Sequence, residues 1–136
     1  EGRFQAEKLA RLGFNVTYIV DTAAAFMMDE VDLMITGADQ INKKYFVNKI
    51  GTYALALVCR EKKIPVYVLA DSRKISNTEA NPEELQNIQR PGSDIWKSSP
   101  ENITPVNFYF EPVPTKLVNS FINEKGILTP SELRGD

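Results

Sequence analysis

Asp39, Asn48, Lys49 and Lys74 all fall in one stretch, Val31 to Lys74, between apolar runs of the kind that fold inward. Charged and amide side chains set among buried runs are either solvated loops or the walls of a pocket. A carboxylate can move a proton, and lysine ammonium groups can hold an anion. The chain contains no histidine, so acid–base chemistry falls to carboxylates, lysine, tyrosine or the single thiol, Cys59. Cys59 sits inside an apolar helical run, where it reads as a small buried hydrophobe and not as a nucleophile. With one cysteine and no histidine, no zinc or other metal site is expected.

Two motifs narrow the chemistry. In "VNKIGT", Asn48 and Lys49 approach a helix opened by Gly51 and Thr52. A helix amino terminus favours anions, and a neighbouring lysine adds a point charge. Neither GxxxxGK[ST] nor a GxGxxG after the first strand is present, so no P-loop and no dinucleotide cofactor are expected. Asp21, Asp39 and Asp71 each follow a predicted strand directly, which puts them on the rim where open parallel sheets bind ligands. The simplest role for Asp21 is to cap the helix after it. A long loop follows Asp39, so capping gives it no task, and it is the stronger candidate for chemistry. Lys74 lies just beyond the third predicted strand, within reach of the same crevice.

The elements that hold these residues follow from hydrophobic period. Phe4, Ala6, Leu9, Ala10 and Leu12 recur at helical spacing, with Gly13 as a stop. "NVTYIV" (Asn15–Val20), "VDLMIT" (Val31–Thr36) and "VYVLA" (Val66–Ala70) read as strands. A short helix over "TAAAFMM" joins the first two. A helix from Gly51 to Lys63, apolar in its middle and basic at its end, joins the last two. This alternation predicts an α/β fold with a doubly wound, mostly parallel, Rossmann-like sheet and helices on both faces. The strands containing Ile19, Met34 and Val68 are expected side by side. From Asp71 to Pro105 the pattern dissolves, with a helical turn expected near Pro82–Asn87. "VNFYF" (Val106–Phe110) reads as a last strand. "PTKLVNSFINEKG" reads as an amphipathic helix with Leu117, Val118, Phe121 and Ile122 in one stripe and Gly126 as its cap.

Composition bounds the rest. A chain of 136 residues with 43% apolar and 25% charged residues suits one globular domain, 1–136. A net charge of −2 argues against a direct nucleic-acid binder, which needs a basic surface. The longest apolar run, Ala54 to Cys59, is too short to span a membrane. A lone cysteine fits a reducing compartment, so a cytoplasmic location is expected.

In this order, "VDLMITGAD", "VNKIGTYALAL", "IPVYVLADSRK" and "NFYFEPVPTKLVNSFINEKG" resemble the carboxy-terminal domain shared by the alpha, beta and delta subunits of translation initiation factor 2B. The same superfamily includes methylthioribose-1-phosphate isomerase and ribose-1,5-bisphosphate isomerase. The resemblance implies that Asp39, in the "GAD" element, is the catalytic position of the isomerases. It implies that Asn48 and Lys49 bind a sugar phosphate, and that Lys74 matches the lysine after the third strand. The pocket implied is for a phosphorylated sugar or nucleotide. The resemblance also implies that the family's amino-terminal helical domain and catalytic cysteine lie outside this chain. Partners follow from it too: a homodimer, or a hetero-oligomer with related subunits. A dimer is expected to use the aromatic segment Phe108–Phe110 or the predicted last helix near Phe121. Two functions stay open: a binding and assembly module of the initiation-factor kind, or part of an aldose–ketose isomerase.

Overall fold

The computed structural model describes residues 2–76 and 89–134. Along the chain come α1 (Gly2–Arg11), α2 (Ala24–Met27), β1 (Met34–Thr36), β2 (Gln40–Ile41), β3 (Tyr45–Lys49), α3 (Thr52–Lys62) and β4 (Val66–Leu69). They are followed by β5 (Gln89–Arg90), β6 (Asn107–Phe108), β7 (Phe110–Pro114), β8 (Ser120–Asn123), β9 (Gly126–Leu128) and α4 (Pro130–Arg134). The helical turn expected at Pro82–Asn87 lies outside the described residues.

The central sheet has the order β1-β4-β8-β9. β1 runs parallel to β4, with Met34 opposite Val66, and β4 runs parallel to β8, with Val68 opposite Phe121. β9 folds back antiparallel on β8. The architecture is therefore α/β with a mostly parallel sheet, as the alternation predicts. Successive strand residues point to opposite faces. Met34, Val66, Val68 and Phe121 face the core with Ala56 and Cys59 of α3, and Cys59 is fully buried beside the sulfur atoms of Met28 and Met34. Ile35 and Leu69 point the other way, where Gln5 of α1 shares a hollow with them. A second, antiparallel sheet, β2-β3-β7, closes the core from the side. Its Phe46 meets Phe121 edge to face, with ring centroids 6.1 Å apart.

α1 and α3 match their predicted spans. Gly13, at φ +87°, ends α1 in the left-handed region, letting Phe14 and Gly13 donate to the Leu9 and Ala10 carbonyls. α3 buries Thr52, Ala56 and Cys59, and ends on the basic turn of Arg60 and Lys62.

Two predicted elements are corrected. Asn15–Val20 forms no ladder: only the strands of Met34 and Val68 lie side by side, and Tyr18 and Val20 are exposed. β-branched residues favour an extended backbone, but a strand exists only where a partner takes its hydrogen bonds. The predicted helix over Pro114–Gly126 is instead a 3-10 turn, Thr115–Leu117, followed by the β8–β9 hairpin. Leu117, Val118 and Phe121 are buried as expected, but the element that buries them is different. The spacing of Leu117 and Phe121 suits a helix. In the parallel ladder to β4, Phe121 instead lies opposite Val68 and Ile122 opposite Leu69, and the Asn119 side chain accepts the Val66 N–H at 2.8 Å to fix the register. Phe121 is only 1% exposed, so it is core and not a dimer surface, whereas Phe108 is exposed. The expected strand Val106–Phe110 divides at Tyr109 between β6 and β7.

Candidate functional site

β1 ends at Thr36, and Gly37 follows at the carboxyl edge of the sheet. β3 arrives there with half-buried Asn48, whose amide donates to the Thr36 hydroxyl at 2.8 Å and the Thr52 hydroxyl at 3.0 Å. The Thr52 hydroxyl in turn donates to the Lys49 carbonyl at 2.7 Å. Asn48 therefore ties the end of β1 to the first turn of α3. With both amide protons used, its Oδ1 is left as an acceptor with no hydrogen-bond partner among the described residues. Thr36, Gly37 and Asn48 line a hollow of about 440 Å³ with Gln5, Ile35 and Leu69.

Lys49 lines a different hollow, of about 470 Å³, with Asp21, Thr22, Gly51 and Thr52. Its ammonium lies 3.3 Å from the centroid of the Tyr109 ring, and the Arg90 guanidinium lies 4.6 Å from the same centroid. Gly51 takes φ +99° to turn the chain from β3 into α3. Asp21 begins a 3-10 turn and makes no side-chain cap, so the capping role predicted for it is not the one it plays. The exposed amino terminus of α3 already has an anionic partner: Glu111 of β7 accepts the Tyr53 N–H at 2.8 Å.

Asp39 is exposed just before β2, its backbone N–H donating to the Val47 carbonyl at 2.8 Å. With Gln40 opposite Val47, Asp39 stands level with Asn48. Lys74 ends the 3-10 turn Ser72–Lys74 that follows β4. Ile75 bridges Ile41 in parallel, which places Lys74 level with Gln40 and one residue from Asp39. All four predicted residues thus lie on the strand-end side of the molecule. Asn48 and Lys49 line two different hollows, and Asp39 and Lys74 line neither.

The turn that carries Lys74 is held by carboxylates. Asp71 accepts the Arg73 backbone N–H at 2.9 Å and two guanidinium bonds, at 2.8 and 3.0 Å. The Arg73 side chain is the main reason that Asp71 has its pKa lowered to about 2. Glu124, from the β8–β9 turn, accepts the Ser72 hydroxyl and the Ser72 N–H, and these bonds hold its carboxyl below the usual range. Asp71 is therefore committed to Arg73, while Lys74 makes no ion pair among the described residues. Burial pushes the Cys59 thiol up, which keeps it protonated. Among the described residues no three potential metal ligands cluster, and no helix is long and apolar enough to cross a membrane.

Thr36, Arg90, Tyr109 and Glu111 join the site through contacts between distant segments, and Thr52 through local ones to Asn48 and Lys49. Only Thr52, at a predicted helix start, carried a sequence signal.

A mostly parallel α/β domain with polar side chains gathered at the carboxyl ends of its strands is a ligand-binding class of fold. The match to known proteins is more specific: the chain belongs to the initiation factor 2 subunit family, whose pattern it matches over residues 1–130. It is 35% identical to methylthioribose-1-phosphate isomerase of Pelotomaculum thermopropionicum, over 94% of this chain and 37% of that protein. It is 33% identical to the same enzyme of Aquifex aeolicus, over 96% of this chain and 30% of that one. Among solved structures, 5-methylthioribose 1-phosphate isomerase from Pyrococcus horikoshii OT3 superposes with a TM-score of 0.84 at 30% identity, covering 96% of this chain and 38% of that one. The delta subunit of translation initiation factor eIF-2B from A. fulgidus superposes with a TM-score of 0.80 at 29% identity, covering 95% and 42%. The chain thus spans less than half the length of each of these relatives.

Proposed function

We propose that this chain is a sugar-phosphate-binding domain, with Asp39, Asn48, Lys49 and Lys74 at its ligand-facing rim. The observation that carries the reading is the double hydrogen bond of Asn48 to Thr36 and Thr52. It spends both amide protons on the protein and leaves Oδ1 to accept from a ligand hydroxyl. Lys49, on the neighbouring hollow, and Lys74, on the turn after β4, supply positive charge for a phosphate. Asp39 stands level with Asn48, placed for a sugar hydroxyl and away from the phosphate, because adjoining anions repel. In this reading the domain binds ligand and assembles with a second copy or a related subunit.

A second reading is favoured by the isomerases among its relatives. There the domain forms part of an aldose–ketose isomerase acting on a ribose 1-phosphate-type substrate. Asp39 would take a proton from one carbon of the opened sugar and return it to the next through an enediol, while lysine stabilises the developing negative charge. The remaining catalytic groups would come from beyond these residues.

Calorimetry with ribose phosphates on the wild type, Lys49→Ala and Asp39→Asn tests the binding shared by both readings. Lys49→Ala should weaken binding by about 1–3 kcal/mol, the range for losing a charge-assisted hydrogen bond. Asp39→Asn should bind nearly as the wild type does. Equal affinity in the wild type and Lys49→Ala would reduce these lysines to surface charge.

A further inference from the structure

The opposite end of the sheet carries a hollow that this reading does not use. It lies where the chain enters β4 and β8, has a volume of about 340 Å³, and is walled by Arg60, Lys63, Lys116 and Asn119 beside Ile64 and Pro65. None of its lining residues is acidic. Lys62, in the same turn of α3, pairs with Asp29, but Arg60, Lys63 and Lys116 make no ion pair among the described residues. Three like charges around one hollow repel each other, in a chain whose net charge is −2. The carboxyl end of α3 accounts for basic residues at Arg60 and Lys63. It does not account for Lys116, which approaches from the separate turn Thr115–Leu117.

Two further features concern residues that line it. Lys63 has φ +59°, and among the described residues no other non-glycine has positive φ. Glycine is the least strained residue at such a helix end, as Gly13 is after α1, yet a lysine is held there. Strain of this kind is a reason to look for function. Asn119 spends its Oδ1 on the Val66 N–H, which fixes the orientation of the amide and leaves its NH₂ group as a donor.

We propose that this hollow binds a phosphate monoester, at a site separate from the strand-end rim. Three ammonium or guanidinium groups and a neutral N–H donor match a dianion with three free oxygens, whereas a single carboxylate would leave charge in excess. The hollow is much larger than a bare phosphate, and Ile64 and Pro65 offer an apolar wall to the group that carries it. A phosphorylated metabolite and a phosphorylated side chain share this chemistry.

Backbone amide chemical shifts, followed at constant ionic strength, separate the possibilities. The probes are inorganic phosphate, ribose 5-phosphate and O-phosphoserine. Saturable shifts are expected at Lys63 and Asn119, with affinities independent of any shifts at Asn48–Thr52, so failure of either site leaves the other readable. The better binder of ribose 5-phosphate and O-phosphoserine assigns the source. Lys63→Gly removes the charge and the strain together. It should melt at a higher temperature than the wild type while binding phosphate at least fivefold more weakly, a combination that a merely structural lysine would not give. Lys116→Ala, on the other wall, should weaken binding by a similar factor. Absence of saturable shifts with all three probes, or undiminished affinity in both variants, would overturn the proposal.

Discussion

Replacing Asn48 by alanine removes a side chain that joins β1, β3 and α3 at the strand ends. Two hydrogen bonds go, at 2.8 and 3.0 Å, and the Thr36 hydroxyl loses its donor. At about 1 kcal/mol net for each bond, Asn48→Ala should cost about 2 kcal/mol of stability. For a urea slope of about 2 kcal/mol per molar, the unfolding midpoint should fall by about 1 M. Asn48→Asp is informative because the Thr52 hydroxyl already donates to the Lys49 carbonyl. Its lone pairs would then face the new carboxylate, while the Thr36 hydroxyl can rotate to donate. Asn48→Asp should therefore still lose about 1–2 kcal/mol despite its matching shape. Thr36→Val removes one bond alone, and combining it with Asn48→Ala should give a coupling of about 1 kcal/mol, as for residues in direct contact. Urea titrations of the wild type, the single variants and the double variant measure all of this. A loss below about 0.5 kcal/mol for Asn48→Ala, or additivity within about 0.3 kcal/mol, would refute the claim that Asn48 holds the site together.

Phe121→Ala should destabilise the chain by about 3–5 kcal/mol in the same titration, because removing a buried ring packed edge to face with Phe46 leaves a cavity. A surface role for Phe121 predicts almost no change. The Asp71 carboxyl should titrate near pH 2 by carbon-detected NMR, and Arg73→Ala should raise that midpoint towards 3.8. Because the folded pKa is the lower one, the stabilisation from this group is present above the ordinary aspartate range and is lost as pH falls through about 2. Cys59 should react with thiol reagents only on unfolding, since it is buried and its thiol is pushed up. Rapid modification of the native chain would contradict the packing against Met28 and Met34.

The sequence announced those parts of the fold whose signal is local. α3 is readable because Gly51 opens it, an apolar run fills it and a basic turn closes it. β1 and β4 are short apolar runs on either side of it, and they pair as that order requires. β8 was misread because Leu117, Val118, Phe121 and Ile122 satisfy a helical stripe, and only the ladder to β4 decides otherwise. Asn15–Val20 shows the converse, since strand-like composition does not supply a partner. The candidate site was legible in its types, because aspartates after strands and an Asn-Lys pair before a helix are local patterns. Its wiring was not. The Thr36 contact to Asn48, the Glu111 cap on α3 and the meeting of Lys49 and Arg90 at Tyr109 all join segments far apart in the chain. The division of Asn48 and Lys49 between two hollows follows from the pleat of β3, which sends consecutive side chains to opposite faces.

The most direct test of the sugar-phosphate reading is a crystal structure of the chain with a bound ribose 1-phosphate-type ligand. The account predicts density at the carboxyl ends of β1, β3 and β4. The Asn48 Oδ1 should accept from a sugar hydroxyl at about 2.8 Å, and the phosphate should be paired with Lys49 or Lys74. Asp39 should contact a hydroxyl and not the phosphate. A ligand seated elsewhere, or one that leaves Asn48 and both lysines untouched at saturating concentration, would contradict it.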